Sequence, residues 1–382
     1  MWLSLAPISS MAESFYGVSG MSIALFSMSY MIMFILFSFP ASWVVDKFGY
    51  RYSLIIGAII TAVFGLTRAI FADNFTIVLI SQFIIAIGQP FLINISTKVP
   101  ANWFPISERS TAAGILTMAQ YIGFAVPMIA APIVAESSGI PKVFMIFAII
   151  TIISAIISIF FTKEKPLIAP PGPTYQKEDL SIASIKKLLT NKPYMITLFL
   201  SFISMGVFNT LLTLIESILM PRGITSMQAG IVGAVFVVAG IIGAVVLPII
   251  SDKLVIRVPL FIGAISLLIP LYLGLTFAHS FILLSIIAGV AGFTIMGVAP
   301  ILFQYGSEVA YPIQEGTSLG VILLMGQISG AFFVYIFEYL SGTSNSIMLP
   351  MLLIVVLTAI EIPFTFRMKE SNLVIKQEHS VS

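Results

Sequence analysis

Ser42-Trp43-Val44-Val45-Asp46-Lys47-Phe48-Gly49-Tyr50-Arg51 is a short charged turn between two long apolar runs. Its core, Asp-Lys-x-x-x-Arg, returns once, as Asp252-Lys253-Leu254-Val255-Ile256-Arg257, 206 residues further on. Other echoes follow at nearly the same offset. Pro105-Ile106 recurs as Pro312-Ile313, Glu108 as Glu315 and Gln120 as Gln327, each 207 residues apart. A pattern repeated once at a fixed offset marks a duplicated unit, and the duplication fixes the architecture before any single element is read.

Composition says where such a chain lives. Hydrophobic residues make up 59% and charged residues 9%, whereas soluble domains carry about a quarter charged residues. The expectation is an all-α polytopic membrane protein with the lipid bilayer as its main partner. A net charge of +2 suggests no nucleic-acid partner. There are no cysteines, and the two histidines, His279 and His379, stand 100 residues apart. No metal or other cofactor is therefore expected. No nucleophile–base spacing suggests an enzyme, and the chain is expected to act as a monomer on a small molecule.

A spanning helix needs about 20 mostly apolar residues. Apolar runs between polar breaks predict spans near 1–14, 19–45, 51–72, 76–98, 108–135 and 141–162. After a polar stretch come 193–219, 226–250, 257–278, 280–305, 314–341 and 346–366. These make two six-helix bundles, 1–162 and 193–367, with a linker at 163–192 and a tail at 368–382. The first segment is too short to cross about 30 Å of hydrocarbon at about 1.5 Å per residue. It reads as the end of a longer helix whose first half precedes Met1, or as a true half-helix closed by its neighbours. Within the linker, residues 181–189 suit either an amphipathic surface helix or a solvated connection. With that linker inside, fifteen of the eighteen basic residues fall on the same side, which places both termini in the cytoplasm of a cell-membrane protein.

The polar residues at mid-membrane depth suggest where the chemistry lies. Gln120 and Gln327 are repeat equivalents near the middle of spans five and eleven. The same offset of 207 carries Trp2 onto Asn209 in span seven. Carriers built from repeats hold substrate near the midplane, at the repeat interface. Trp2, Gln120, Asn209 and Gln327 are therefore the candidate substrate set; the competing reading for each glutamine is ordinary interhelical hydrogen bonding. No acidic residue is expected within two turns of this layer, with Glu361 placed toward the inside. Proton-coupled carriers need an embedded carboxylate or histidine, so facilitated diffusion is the expected mechanism. Glu13, Tyr16 and Glu216 lie toward the outer ends and form a candidate vestibule that attracts cations. Pairing of these carboxylates with Arg68 or Arg222 is the alternative.

The Asp46–Arg51 turn and its repeat resemble the signature between helices two and three of the major facilitator superfamily, although Ser42 stands where that signature usually opens with glycine. The resemblance implies twelve transmembrane helices and a cytoplasmic gate built from Asp46, Lys47, Arg51, Asp252, Lys253 and Arg257. Further stretches are similar to the feline leukaemia virus subgroup C receptor branch: Trp2 with Glu13-Ser14-Phe15-Tyr16-Gly17-Val18, Phe39-Pro40-Ala41-Ser42-Trp43, Asn102-Trp103-Phe104, Glu108-Arg109-Ser110-Thr111-Ala112, Glu308-Val309-Ala310-Tyr311-Pro312 and Glu315-Gly316-Thr317-Ser318. This resemblance implies transport of choline and ethanolamine, with haem export also ascribed to the family. It implies a cage of one tryptophan, one tyrosine and two glutamines. Trp2, Gln120 and Gln327 match that cage, and Asn209 occupies the tyrosine position. Rival readings are a haem or porphyrin carrier and a transporter-like receptor that binds without translocating.

Overall fold

The computed structural model describes residues 1–95, 98–104, 106–166, 182–254, 256–311, 313, 315–344 and 346–370. The chain divides into two compact units, Met1–Gln176 and Lys177–Ser382. The boundary falls inside the polar segment 163–192. Among the described residues every regular element is helical.

The first unit opens with a 3-10 turn, Ala6–Ile8, leading into α1 (Ser9–Tyr16). It continues through α2 (Gly20–Phe48), α3 (Tyr50–Ile70), α4 (Phe75–Ile93), the short α5 (Lys98–Trp103) and α6 (Ile106–Phe161). Eight residues rise only about 12 Å, so α1 cannot cross a bilayer core of about 30 Å. Within α6, Gly139 adopts φ 78° and ψ 169°. The long helix is thus two helices meeting at that residue, as the separate spans 108–135 and 141–162 anticipated. Polar side chains mark the other starts: Ser19 accepts from the Ser22 N–H at 3.4 Å and Asn74 from the Ile77 N–H at 3.2 Å, each satisfying a donor the helix itself cannot. The core joins Ile8 of the opening turn, Phe26 of α2, Ala69 of α3, Val78 of α4 and Phe144 of α6.

The second unit comprises α7 (Ile182–Thr190), α8 (Lys192–Thr213), α9 (Ile215–Leu219), α10 (Ser226–Leu254), α11 (Val258–Phe277), α12 (Phe281–Ala310), α13 (Glu315–Ser344) and α14 (Met348–Thr365). The linker does form a helix, α7. Its Leu188 is fully buried against Tyr194, Leu198, Ala310 and Ile322, so that residue docks on the unit instead of hanging in a solvated connection. Glycines set the closest helix contact. A Cβ on Gly292 of α12 would fall 1.9 Å from the Phe236 carbonyl oxygen of α10, and one on Gly243 of α10 would fall 2.0 Å from the Phe293 carbonyl oxygen. In lipid, helices associate through such close backbone packing, because lipid tails are as apolar as leucine. Across both units, ten described helices are long and apolar enough to span a membrane, one of them broken at Gly139.

Candidate functional site

The two charged turns use their charges differently. In the first unit Asp46 pairs with Lys98 of α5 at 2.8 Å, not with Arg51, and both side chains are about half exposed. Lys47 lies over the Trp43 ring at 4.7 Å. In the second unit Arg257 sits 3.3 Å from Asp252 and also grips Glu308, with Nη2 to Oε1 at 2.8 Å and Nε to both oxygens at 3.0 and 3.1 Å. The side chains of Arg257 and Glu308 are only 12% and 7% exposed. The turn's own aspartate and arginine therefore meet in the second. In the first, the lysine after α4 reaches the aspartate instead. All of these contacts stay within their own unit.

Each turn carries a partner that reading the sequence overlooked. The Glu164 carboxylate accepts the backbone N–H groups of Tyr50 and Arg51 at 3.2 and 2.8 Å. Glu370 accepts those of Arg257 and Val258, both at 2.9 Å. Each glutamate thus follows its half's last spanning helix and returns to cap the start of α3 or α11, where carboxylates are favoured by unpaired N–H groups and the helix dipole. The signal was present. Lys163-Glu164 and Lys369-Glu370 lie 206 residues apart, the same offset as the turns themselves. Gly49 completes the first cap. Its φ is 94°, and a Cβ there would lie 2.4 Å from Glu164 Oε1.

Within each unit, Trp2 and Asn209 each pack on the helix that carries that unit's candidate glutamine. The Trp2 ring meets Phe124 of α6 edge-on, with centroids 5.0 Å apart. Phe124 lies one turn from Gln120, on the same helix face. The Trp2 indole N–H is buried and has no acceptor among the described residues. In the second unit, Asn209 of α8 donates to the Gly326 carbonyl of α13 at 3.5 Å, next to Gln327. The same two positions of the repeat, the first segment and the fifth, are neighbours in each half.

Three buried ionisable groups stand apart from these expectations. Glu216 was assigned to an open vestibule, yet it is fully buried on α9 and accepts from the Ser226 hydroxyl. Its proposed partner Arg222 instead donates to the carbonyls of Ile218, Leu275 and Ala278, and burial pushes that guanidinium down to about 10. Tyr16, also assigned to the vestibule, donates to the Ala72 carbonyl and so ties α1, which carries the half-buried Glu13 as well, to the turn after α3. Arg68 is 0% exposed. Its Nη1 donates to Gln82 Oε1 and to Ser4 Oγ, its Nη2 lies 2.8 Å from Met1 Sδ, and Phe144 covers it at 4.4 Å. Gln82 in turn donates to the Phe26 carbonyl at 3.1 Å. Glu361 is 1% exposed and accepts from Ser204 of α8 at 3.1 Å. Ser204 is five residues from Asn209, about 7.5 Å of helix rise. An acid therefore does lie within two turns of Asn209's level, where none was expected.

The sequence pattern of the Major Facilitator Superfamily matches residues 1–334. The chain belongs to the major facilitator superfamily. It is a multi-pass membrane transporter and not an enzyme. Among its relatives, solute carrier family 49 member A3 of Xenopus tropicalis is 27% identical over 359 residues, covering 89% of this chain and 74% of that protein. The choline/ethanolamine transporter flvcr2a of Danio rerio is 28% identical over 364 residues, covering 88% of this chain and 76% of the relative. The crystal structure of a D-xylose–proton symporter superposes with a TM-score of 0.77 at 14% identity, covering 97% of this chain and 94% of that one. That likeness concerns the fold alone. In this major facilitator protein the sequence signal pointed to the turns and the midplane amides. Arg68 and Glu361 were not placed among the central residues because neither has a repeat equivalent: 206 residues after Arg68 stands Gly274, and 206 before Glu361 stands Ala155.

Proposed function

We propose that the protein carries a small organic cation of the choline or ethanolamine type by alternating access, with Trp2, Gln120, Asn209 and Gln327 as its substrate residues. The observation that carries this reading is the buried Trp2 indole N–H, unpaired among the described residues. Buried donors almost always find an acceptor, and a substrate hydroxyl supplies one. The indole face adds cation–π attraction of about 0.5–2 kcal/mol. The amides of Gln120, Gln327 and Asn209 both donate and accept, so they select the polar handle and not the charge. The relatives named as choline/ethanolamine transporters support the same substrate class. The paired turns, with Asp46, Lys47 and Arg51 in one half and Asp252, Lys253 and Arg257 in the other, serve as the gate of that cycle.

A second reading has one observation in its favour. Arg68 bonds to Met1 and Ser4, the residues flanking Trp2, and brings a positive charge to that neighbourhood. This favours a zwitterion, with ammonium and carboxylate together, over a bare cation. A thermal-shift series on the purified protein separates the readings, since a ligand that binds only the folded state raises its stability with concentration. Choline and ethanolamine should stabilise the protein. Stabilisation by betaine alone would favour the zwitterion, and by haem alone the porphyrin reading. No shift with any of them would remove the amine reading.

A further inference from the structure

Glu361 lies deeper than its place in the sequence suggests. It is only four residues from the end of α14, but its partner Ser204 is the thirteenth of the 22 residues of α8. That puts Ser204 about 18 Å along a helix roughly 33 Å long, at its middle. Tyr272, which interacts electrostatically with Glu361, lies 14 residues into α11, about 21 Å along it. Ser204 therefore holds the carboxyl near the middle of α8, with Tyr272 within electrostatic reach.

The surroundings are neutral. From α8 the group facing it is the Ser204 hydroxyl, and from α11 the buried Tyr272. α13, the third helix packed on α14, carries no Asp, Glu, Lys, Arg or His between Thr317 and Phe337; its one phenol there, Tyr335, is exposed. α14 has no other charged residue. None of the ion pairs among the described residues includes Glu361. A carboxylate so placed would hold its charge with one hydroxyl and no cation, which protein interiors and bilayers both disfavour strongly.

We propose that Glu361 is a proton-binding site, neutral in this conformation, whose proton is released and regained during the transport cycle. In the step itself, water carries a proton to or from the carboxyl. The O–H bond of the acid forms or breaks, and Ser204 keeps its own hydroxyl hydrogen while donating to the other oxygen. Coupling follows from the helix they share. Ser204 and Asn209 lie 7.5 Å apart along α8 by about 1.5 Å per residue, so a shift of α8 that changes the substrate position also changes the carboxyl's only described hydrogen bond. This goes beyond the organic-cation reading, which needs no proton.

The test has two arms on the full chain in proteoliposomes. The first requires no substrate. Infrared titration should show a carboxylic-acid C=O stretch at neutral pH in the wild type, and Glu361→Gln should lose it. A wild type with no such band at neutral pH would overturn the proposal. The second uses choline as the probe, with membrane potential clamped to zero and a pH gradient imposed. Wild-type choline accumulation should change several-fold and reverse its direction when the gradient is reversed, and Glu361→Gln should lose that response. Choline uptake indifferent to the gradient would overturn the proton linkage while leaving the amine reading intact. If the wild type does not move choline, the amine reading fails on its own, and the infrared band still decides whether Glu361 holds a proton.

Discussion

At the scale of single residues, the buried charges differ sharply in what they hold. Arg257 and Glu308 form a nearly buried pair, so Arg257→Ala should strand Glu308 and lower stability by about 3–5 kcal/mol. Asp46 and Lys98 are half exposed, and Asp46→Asn should cost less than about 1 kcal/mol. Thermal midpoints in one detergent check both. Asp46→Asn should nonetheless slow transport, so a variant as stable as wild type but slower in flux assigns the carboxylate to the gate. Wild-type transport in both Asp46→Asn and Asp252→Asn would remove that role. Gln82→Leu should cost about 1–3 kcal/mol because it takes the best acceptor from Arg68. Adding Arg68→Leu should recover part of that loss, since a buried charge replaced together with its partner by apolar groups is often neutral. Little of this was legible in sequence. Arg68 stands near a helix end, where a basic residue reads as interfacial. Its burial depends on Ser4 and Gln82, which the chain brings in from two other segments.

Among the helices, the apolar runs anticipated most of what formed. The break between spans five and six appears at Gly139, and the short first segment appears as a 3-10 turn and an eight-residue helix. Missing from the reading was α5, a six-residue helix inside a charged connection, too short for periodicity to reveal. Missing too was how closely α10 and α12 approach. Glycine counts cannot show which glycine faces a neighbouring carbonyl. Gly292→Ala would put a methyl group 1.9 Å from the Phe236 oxygen and must part the helices. The expected loss is at least about 1–3 kcal/mol, read as a lower melting temperature. Gly320→Ala on α13, where a Cβ meets nothing, should leave stability within about 0.5 kcal/mol.

For the whole molecule, the duplication seen at an offset of 206 proved the most informative feature of the sequence. It predicted two units, and the same offset accounts for the glutamates that cap α3 and α11. The midplane candidates were found by symmetry, and in each unit the first segment packs on the fifth. What symmetry cannot find is a residue present in one half alone, which is why Arg68 and Glu361 had to come from the structure. Recognition of an organic cation by Trp2 is open to calorimetric titration of choline into the purified wild type and Trp2→Ala. Loss of about 0.5–2 kcal/mol of cation–π attraction corresponds to a roughly two- to thirty-fold weaker Kd. Wild-type binding should saturate, and Trp2→Ala should show a shift of that size or larger, with Trp2→Phe in between. Equal affinity in wild type and Trp2→Ala, or no wild-type binding at all, would rule out recognition of the cation by Trp2.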